Sequence, residues 1–489
     1  MSLRRDLIAG LVVSFVALPL CIGIAIASEL PAAAGLLGGI VGGLIVPIVS
    51  RSPLGISAPA AGLIVVVAQA VRELSPIQFA LSVIIAGMTQ IFLGLIRGHI
   101  ISYFIPTPVI YGMLAGIGGI VLLKQGPQVI GIMAGKGFDG IVWSLPADKS
   151  LHVGAAIVGL FSLALLISWE SVGYLKAIGR WIPGPLVAVL GGIGMGLILP
   201  LIHSGLAIPS FLSVSIPEEG IQVGFALSGW DGNISAGALK HGVLIGLVAA
   251  VESLLSAEAV SKLDPLGRPT PKRREIFAQG VGNITAGLIG AIPIAQVIIR
   301  STTAVQAGGY SRMTAFFDGF FLAIFSFILA PYLKYLPLAS ISAVLVFVGY
   351  KLVRPAIFQR FLDRGFVHQF LPFLTTFVGV VLIDLLSGVL IGLGISLFLL
   401  LGTGYRFKPS MSLAAVSDRW ILHLGERIGF LDKARLYRLL SKVPAGAHLV
   451  IDASQVRYLD ADIRDALTDY KQEARRKGVY LELPTLLQK

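Results

Sequence analysis

The chain is poor in cysteine and in charge. Its 489 residues include one cysteine, Cys21, so neither an intramolecular disulfide nor a cysteine metal cluster can form. The seven histidines make no HExxH pattern or close pair, and no nucleophile–base set is visible, which argues against an enzyme.

Charged residues make up 13% and hydrophobic residues 55%. A soluble domain of this length cannot bury so much apolar sequence, so the composition predicts a polytopic α-helical membrane protein.

The net charge of +12 does not indicate nucleic acid as a partner. The basic residues lie mainly in short loops between apolar segments, where they act as topology determinants. If the N-terminus is cytoplasmic, most Lys and Arg residues fall in cytoplasmic loops. We therefore expect a multi-pass protein of the cell (inner) membrane, in contact with the lipid bilayer, with both termini in the cytoplasm.

Residues 1–405 form an almost continuous series of apolar segments. Twelve are long enough to cross a bilayer, at roughly 7–27, 32–50, 76–96, 104–123, 151–169, 183–204, 239–258, 275–292, 314–333, 337–353, 368–384 and 386–403. Two more, about 57–71 and 300–311, are too short to cross alone, and each follows an extended stretch containing proline. Short segments at matching positions of two halves indicate a transporter's binding site. The pattern predicts fourteen transmembrane segments as a 7+7 inverted repeat, about 1–205 and 235–405.

Arg300 stands at the end of an apolar run, where the second short segment restarts. A guanidinium at membrane depth is costly and marks a substrate path or an ion partner. Helix starts also attract anions, so this position predicts anion transport. Ser57, Ser301, Thr302 and Thr303 are natural helix caps and substrate donors. The alternative is that Pro59 and Pro293 only kink continuous helices.

Glu252 is the only acid between Asn233 and Ala257, and Ser256 shares its helix face at i+4. A buried carboxyl can carry a proton, whereas a structural ion pair with Arg300 is the alternative. Two helix ends plus Arg300 give about +2, and an ionised Glu252 lowers this to about +1, which suits a monovalent anion. A divalent anion would favour a protonated Glu252 or a bound Na⁺. Asn283 is predicted to bond the backbone of an interrupted helix.

Residues 407–489 are charged and predict a small α/β domain on the cytoplasmic side. The strand-like runs are Trp420–Leu424, His448–Asp452 and Val479–Leu483, with helical patterns over 432–441 and 460–477.

Motifs in order along the chain resemble those of the sulfate-permease (SulP) family of anion transporters, bacterial relatives of solute carrier family 26. They are Ala17-Leu18-Pro19 with Leu30-Pro31 and Gly35-Leu36, Ser57 to Leu63, Val251 to Ala257, Arg274-Glu275 with Gln279 to Asn283, and Arg300 to Gly309. The tail resembles the STAS domain (sulfate transporter and anti-sigma antagonist) through Val450 to Ser454 and Tyr458 to Asp460. It has Asp460-Ala461-Asp462 where anti-sigma antagonists have a phosphorylated serine.

The resemblance implies a core domain, a gate domain and a substrate held between the facing starts of the third and tenth helices. The substrate-binding residues would be Ser57, Ala58, Pro59, Ala60, Arg300, Ser301, Thr302 and Thr303. By the same resemblance Glu252 and Ser256 are the coupling residues for Na⁺ or H⁺, with no other metal and no other cofactor. A homodimer and a cytoplasmic protein partner of the STAS-like domain are further expectations.

Leu20 replaces a glutamine frequent in the family, and Leu18 to Cys21 with Gln296 to Arg300 resembles a bicarbonate-type bacterial branch. We therefore expect a secondary transporter of a small anion, bicarbonate before sulfate or dicarboxylate, working by movement of the core against the gate. The alternatives are an anion channel or exchanger of the same fold, a nucleobase-type permease, or a membrane sensor that signals through its tail.

Overall fold

The computed structural model describes most of the chain. It covers residues 2–96, 105–132, 152–171, 182–209, 212–214, 226–264, 266, 268, 270–329, 332, 335–383, 385–402, 411–416 and 419–482. The predicted strand end at Leu483 and the start of the predicted tail domain at 407–410 lie outside these residues. The chain folds as two compact units, one of residues 1–99 and 117–352 and one of residues 100–116 and 353–489.

The first unit is helical apart from two short strands. Its elements are α1 Ser2–Ala27, α2 Ala32–Leu44, α3 Val46–Ser50, β1 Ser57–Pro59, a 3₁₀ turn Ala61–Leu63, α4 Ile64–Glu73, α5 Pro76–Leu95, α6 Thr107–Val129 (which begins in the second unit), α7 Val153–Ser171, α8 Gly184–Ile202, α9 Ala236–Leu263, α10 Lys272–Leu288, β2 Ile294–Gln296, α11 Ile298–Gln306, α12 Met313–Leu329 and α13 Leu338–Leu352. Among the described residues, eight helices are long and apolar enough to cross a membrane, and three shorter apolar helices accompany them.

Every predicted segment overlaps a helix, but the two short segments begin or end at other residues than predicted. The first begins as the strand β1 and becomes α-helical only at Ile64. The second begins at Ile298 rather than at Arg300 and ends at Gln306. It ends early because Gly308 adopts a φ of +85°, a left-handed conformation that closes a helix C-terminus.

Two bundles of helices surround the strands. In one, α5 packs against α9 and α10, and in the other α1 packs against α2 and α12. The Phe15 and Phe325 rings stack between α1 and α12 with centroids 5.1 Å apart. Small residues line these contacts and let the backbones approach closely, as expected for membrane helices.

The second unit contains helices followed by the α/β tail. Its elements are α14 Pro355–Asp363, α15 Leu371–Leu382, α16 Leu385–Gly402, β3 Met411–Val416, β4 Arg419–Leu424, β5 Arg427–Ile428, α17 Lys433–Leu440, β6 His448–Asp452, β7 Tyr458–Leu459, α18 Ala461–Arg476 and β8 Tyr480–Glu482. The main sheet has the order β3-β4-β6-β8, antiparallel between β3 and β4 and parallel elsewhere. The predicted tail strands and helices are all present, whereas β3, β5, β7 and α14 were not predicted.

Candidate functional site

The two interrupted helices meet at a strand pair. β1 and β2 are antiparallel, with Ser57 opposite Gln296, Ala58 opposite Ala295 and Pro59 opposite Ile294. The strands are three residues long, about 10 Å, so the helices that follow them leave from opposite ends of one small patch. The prediction of truly interrupted helices is confirmed, and the alternative of kinked continuous helices is wrong.

Neither interrupted helix has a side-chain cap at its start. The N-cap positions are Ala60 before the 3₁₀ turn, Leu63 before α4 and Val297 before α11, and none accepts a backbone N–H with its side chain. The prediction that Ser57, Ser301, Thr302 and Thr303 cap these helices is therefore wrong, because the helices start at apolar residues. Uncapped N–H groups at a helix start can bind an anion.

The hydroxyl groups near the strand pair have different surroundings. Ser57 Oγ accepts a 2.5 Å hydrogen bond from Gln279, whose amide also contacts Glu275 at 2.7 Å. Ser301 Oγ donates to the Val297 carbonyl at 2.7 Å and accepts from the Ile56 N–H at 3.0 Å, so it ties the start of α11 to the residue before β1.

The threonines that follow are more open. Thr303 donates to the Ile299 carbonyl at 3.0 Å, and Thr302 is half-buried. Both lie on α11 beyond the turn that carries the uncapped N–H groups.

Side chains from α9 and α10 hold β2 in place. Asn283 donates to the Ile294 carbonyl at 2.9 Å and accepts from the Ile294 N–H at 2.7 Å. The Gln296 N–H donates to Ser253 Oγ at 3.1 Å. The prediction that Asn283 bonds an interrupted helix is confirmed, whereas Ser253 was not singled out.

Arg300 is paired with Asp318 and not with Glu252. Its side chain is 2% exposed, its Nη2 pairs with Asp318 on α12, and its Nη1 lies 3.7 Å from Cys21 Sγ. The alternative of an Arg300–Glu252 ion pair is therefore wrong. Asp318 was missed, although an acid in the apolar run of α12 is as costly in a membrane as Arg300 is.

Glu252 is a residue of α9, and its side chain reaches the start of the first interrupted helix. A Cβ added to Gly62 would be 2.5 Å from its Oε2 and 2.8 Å from its Cδ, so the carboxyl group rests directly on that backbone. Among the described residues its Oε2 has no hydrogen-bond partner. Ser256 is buried one turn along α9. The sequence predicted Glu252 and Ser256 as a pair but not the contact of Glu252 with Gly62.

Asp318 changes the charge sum of the site. Helix ends, Arg300 and an ionised Glu252 give about +1 from the sequence, and the carboxylate of Asp318 lowers the sum to about zero. A protonated Glu252, or a cation bound beside it, raises the sum to about +1. The sum is therefore positive only when the charge of Glu252 is neutralised.

The tail carries a second group of buried acids. Asp462 Oδ2 accepts a 2.9 Å hydrogen bond from the N–H of Thr107, the first residue of α6. Burial and the neighbouring carboxylate of Asp462 raise the pKa of Asp460 to about 7. Asp460 follows β7 directly, and Asp462 lies in the first turn of α18.

Secondary transporters typically build their binding sites from two interrupted helices whose starts lie close together among apolar helices, and the same arrangement is present here. The family model described as "Sulfate permease family" matches residues 3–369. The chain belongs to the sulfate permease family. Its curated relatives are named as transporters and not as enzymes, as the sequence predicted.

Similarity to individual proteins covers most of the chain. The "Putative sulfate transporter YvdB" of Bacillus subtilis is 26% identical over 397 residues, which are 80% of this chain and 72% of that protein. The "Bicarbonate transporter BicA" of a Picosynechococcus species is 25% identical over 410 residues, 81% of this chain and 69% of that protein. The solved transmembrane domain of a cyanobacterium bicarbonate transporter BicA aligns with a TM-score of 0.67 and 22% identity, covering 81% of this chain and 97% of that domain.

Proposed function

We propose that the protein is a secondary transporter of a small anion, bicarbonate before sulfate or a dicarboxylate, driven by Na⁺ or H⁺. The observation that carries the proposal is the pairing of β1 with β2, which brings two uncapped helix starts together. The names of the relatives, which include bicarbonate and putative sulfate transporters, support the substrate class.

The anion would lie across the strand pair. Backbone N–H groups after Ala60 and Val297 would bind it, together with the hydroxyl groups of Ser57 and Thr302. Ala58, Pro59 and Ala60 would form the floor, and Thr303 would lie beyond the first turn. Arg300 would act through its charge from behind α11, and Ser301 would hold the helix start in place.

Glu252 and Ser256 would bind the driving cation. An ionised Glu252 against Gly62 competes with the anion for the positive end of the helix. A proton or Na⁺ on Glu252 removes this competition, so anion and cation would bind together. The core domain would then carry both past the gate domain to the other side.

Uptake into proteoliposomes tests the proposal. Bicarbonate, sulfate and fumarate are each offered with and without Na⁺ and pH gradients. We expect saturable uptake of at least one anion that follows one of the gradients. Glu252→Gln should uncouple or abolish uptake, and Arg300→Ala should abolish anion binding.

Two outcomes would contradict the proposal. Flux that does not saturate and ignores both gradients would indicate a channel, and uptake of uracil without anion uptake would indicate a nucleobase permease. Wild-type flux through the Arg300→Ala protein would reject the proposed role of Arg300 in the site.

The setting of the transporter is part of the proposal. It would reside in the inner membrane with both termini cytoplasmic, as a homodimer, with the α/β tail in a regulatory or dimer-stabilising role. Full transport after deletion of residues 407–489 would support that role and would argue against the tail as the signalling part of the protein.

A further inference from the structure

We propose that Asp318 determines which anions the site accepts, because it cancels the charge of Arg300 and so favours monovalent over divalent anions. The inference rests on the proposed function and names a specificity residue that lies outside the strand pair.

Asp318 and Arg300 form a buried ion pair. Asp318 is 0% exposed and Arg300 2% exposed. Asp318 Oδ2 contacts Arg300 Nη2, whereas Asp318 Oδ1 and Arg300 Nε have no hydrogen-bond partner in the described part of the chain. The pair therefore makes one contact rather than a two-point fork, which is a weak arrangement for a purely structural ion pair.

The position of Arg300 links this pair to the site. Arg300 is the third residue of α11, within the turn whose N–H groups have no side-chain cap and which begins two residues after β2 ends. A charge held in the first helical turn acts on an anion at that helix start even without contact. Asp318 thus sets how much of the Arg300 charge the anion experiences.

The charge sum gives the direction of the effect. With Asp318 ionised and a cation at Glu252, the site carries about +1, which balances a monovalent anion. Without the Asp318 charge the sum would be about +2, which balances a divalent anion. The attraction energy between the site and the anion is proportional to the charge of the anion, so a divalent anion gains more from the extra positive charge.

Uptake by Asp318 variants in proteoliposomes tests the inference. The KM values for bicarbonate and sulfate are measured at fixed pH and Na⁺ for Asp318→Asn, which keeps the shape, and Asp318→Ser, which leaves room for a water beside the guanidinium. We expect the ratio of sulfate KM to bicarbonate KM to fall about tenfold in either variant that folds, judged by its melting temperature. Asp318→Glu, which keeps the carboxylate, should have a ratio of sulfate KM to bicarbonate KM within about threefold of the wild-type ratio.

The matched control is Asp6→Asn, which removes another buried acid that contacts Ser311 and Thr314 near the start of α12. Its ratio should stay at the wild-type value. A folded Asp318→Asn or Asp318→Ser protein with the wild-type ratio, or with both KM values changed equally, overturns the inference alone. A wild-type protein that transports neither anion overturns the proposed function, and the inference with it.

Discussion

Glu252 and Gly62 are in direct contact at the site. The Glu252 carboxyl group occupies the space in which any side chain at position 62 would begin. Because the contact lies at the end of a flexible side chain, a new Cβ can displace the carboxyl group without disrupting the helices.

The first prediction concerns this contact. Gly62→Ala should leave the amount of folded protein unchanged but raise the Na⁺ or H⁺ concentration needed for half-maximal uptake about tenfold, because the carboxyl group leaves the helix start. Adding Glu252→Asp, which retracts the carboxyl group by one methylene, should recover part of the loss. Gly126→Ala, where a Cβ meets nothing within 4 Å, is the control. Equal behaviour of Gly62→Ala and Gly126→Ala would reject the proposed position of the coupling site.

A second residue, Asp460, gives the tail a pH-dependent stability. Its folded-state pKa of about 7 exceeds the ordinary value of an aspartate, so the folded tail binds this proton more tightly than the unfolded chain does. Stability therefore falls as the pH rises from about 4 towards 7.

The second prediction follows from that sign. Asp460→Asn should stabilise the tail at pH 8, by on the order of 2 kcal/mol, and should not stabilise it at pH 4. The measurement is the rate at which a protease removes the tail of the full-length protein, compared with wild type at each pH. Asp452→Asn is the control, because hydrogen bonds from Ser454 lower the pKa of Asp452 to about 2 and its loss should destabilise. A gain in the Asp460 variant at pH 4 would contradict this account.

At the scale of elements, the site depends on α2 as much as on the strands. Gly42 of α2 lies directly against the Ser57 carbonyl in β1, with no room for a Cβ. Helix α2 therefore helps to fix where β1 lies and, through β1, the spacing of the two helix starts.

The third prediction tests that spacing. Gly42→Ala should lower uptake at least tenfold and the free energy of unfolding by about 1–3 kcal/mol, because the backbone of β1 cannot yield as a side chain could. Gly194→Ala, on α8 in open space, should keep wild-type uptake and melting temperature. If Gly42→Ala behaves like Gly194→Ala, the strand pair does not set the geometry of the site.

At the scale of the whole molecule, the sum of charges fixes the electrical behaviour of transport. One monovalent anion and one cation add no net charge to the core, so the loaded and the empty core carry the same charge and a full cycle moves no net charge across the membrane. One full elementary charge moved across about 100 mV would change the driving force by about 2.3 kcal/mol, or roughly fiftyfold.

The fourth prediction is that bicarbonate uptake ignores the membrane potential. A potassium diffusion potential of about 100 mV, imposed with valinomycin, should change the rate less than about twofold. The same potential applied to protein-free liposomes gives the background leak. A change larger than tenfold would show that bicarbonate and the cation are not carried one to one.

The sequence by itself determined the membrane class, the order of the helices, the two interruptions and the α/β tail. These follow from hydrophobic run length, proline, glycine and periodicity, which act locally and are visible in a single chain. It also identified Arg300 and Glu252 as costly charges, since that cost depends on the surrounding apolar sequence, and the structure buries Arg300 and leaves Glu252 half-buried.

Only the tertiary structure decided which groups meet. Arg300 faces Asp318 rather than Glu252, Glu252 faces Gly62, and Ser301 joins α11 to the residue before β1. Spacing along the chain cannot reveal these pairs, because Arg300 and Asp318 lie on different helices and Glu252 and Gly62 are far apart in sequence. The sequence determines the sign of a buried charge, but helix packing determines its partner. The partner in turn decides how much of that charge an anion experiences.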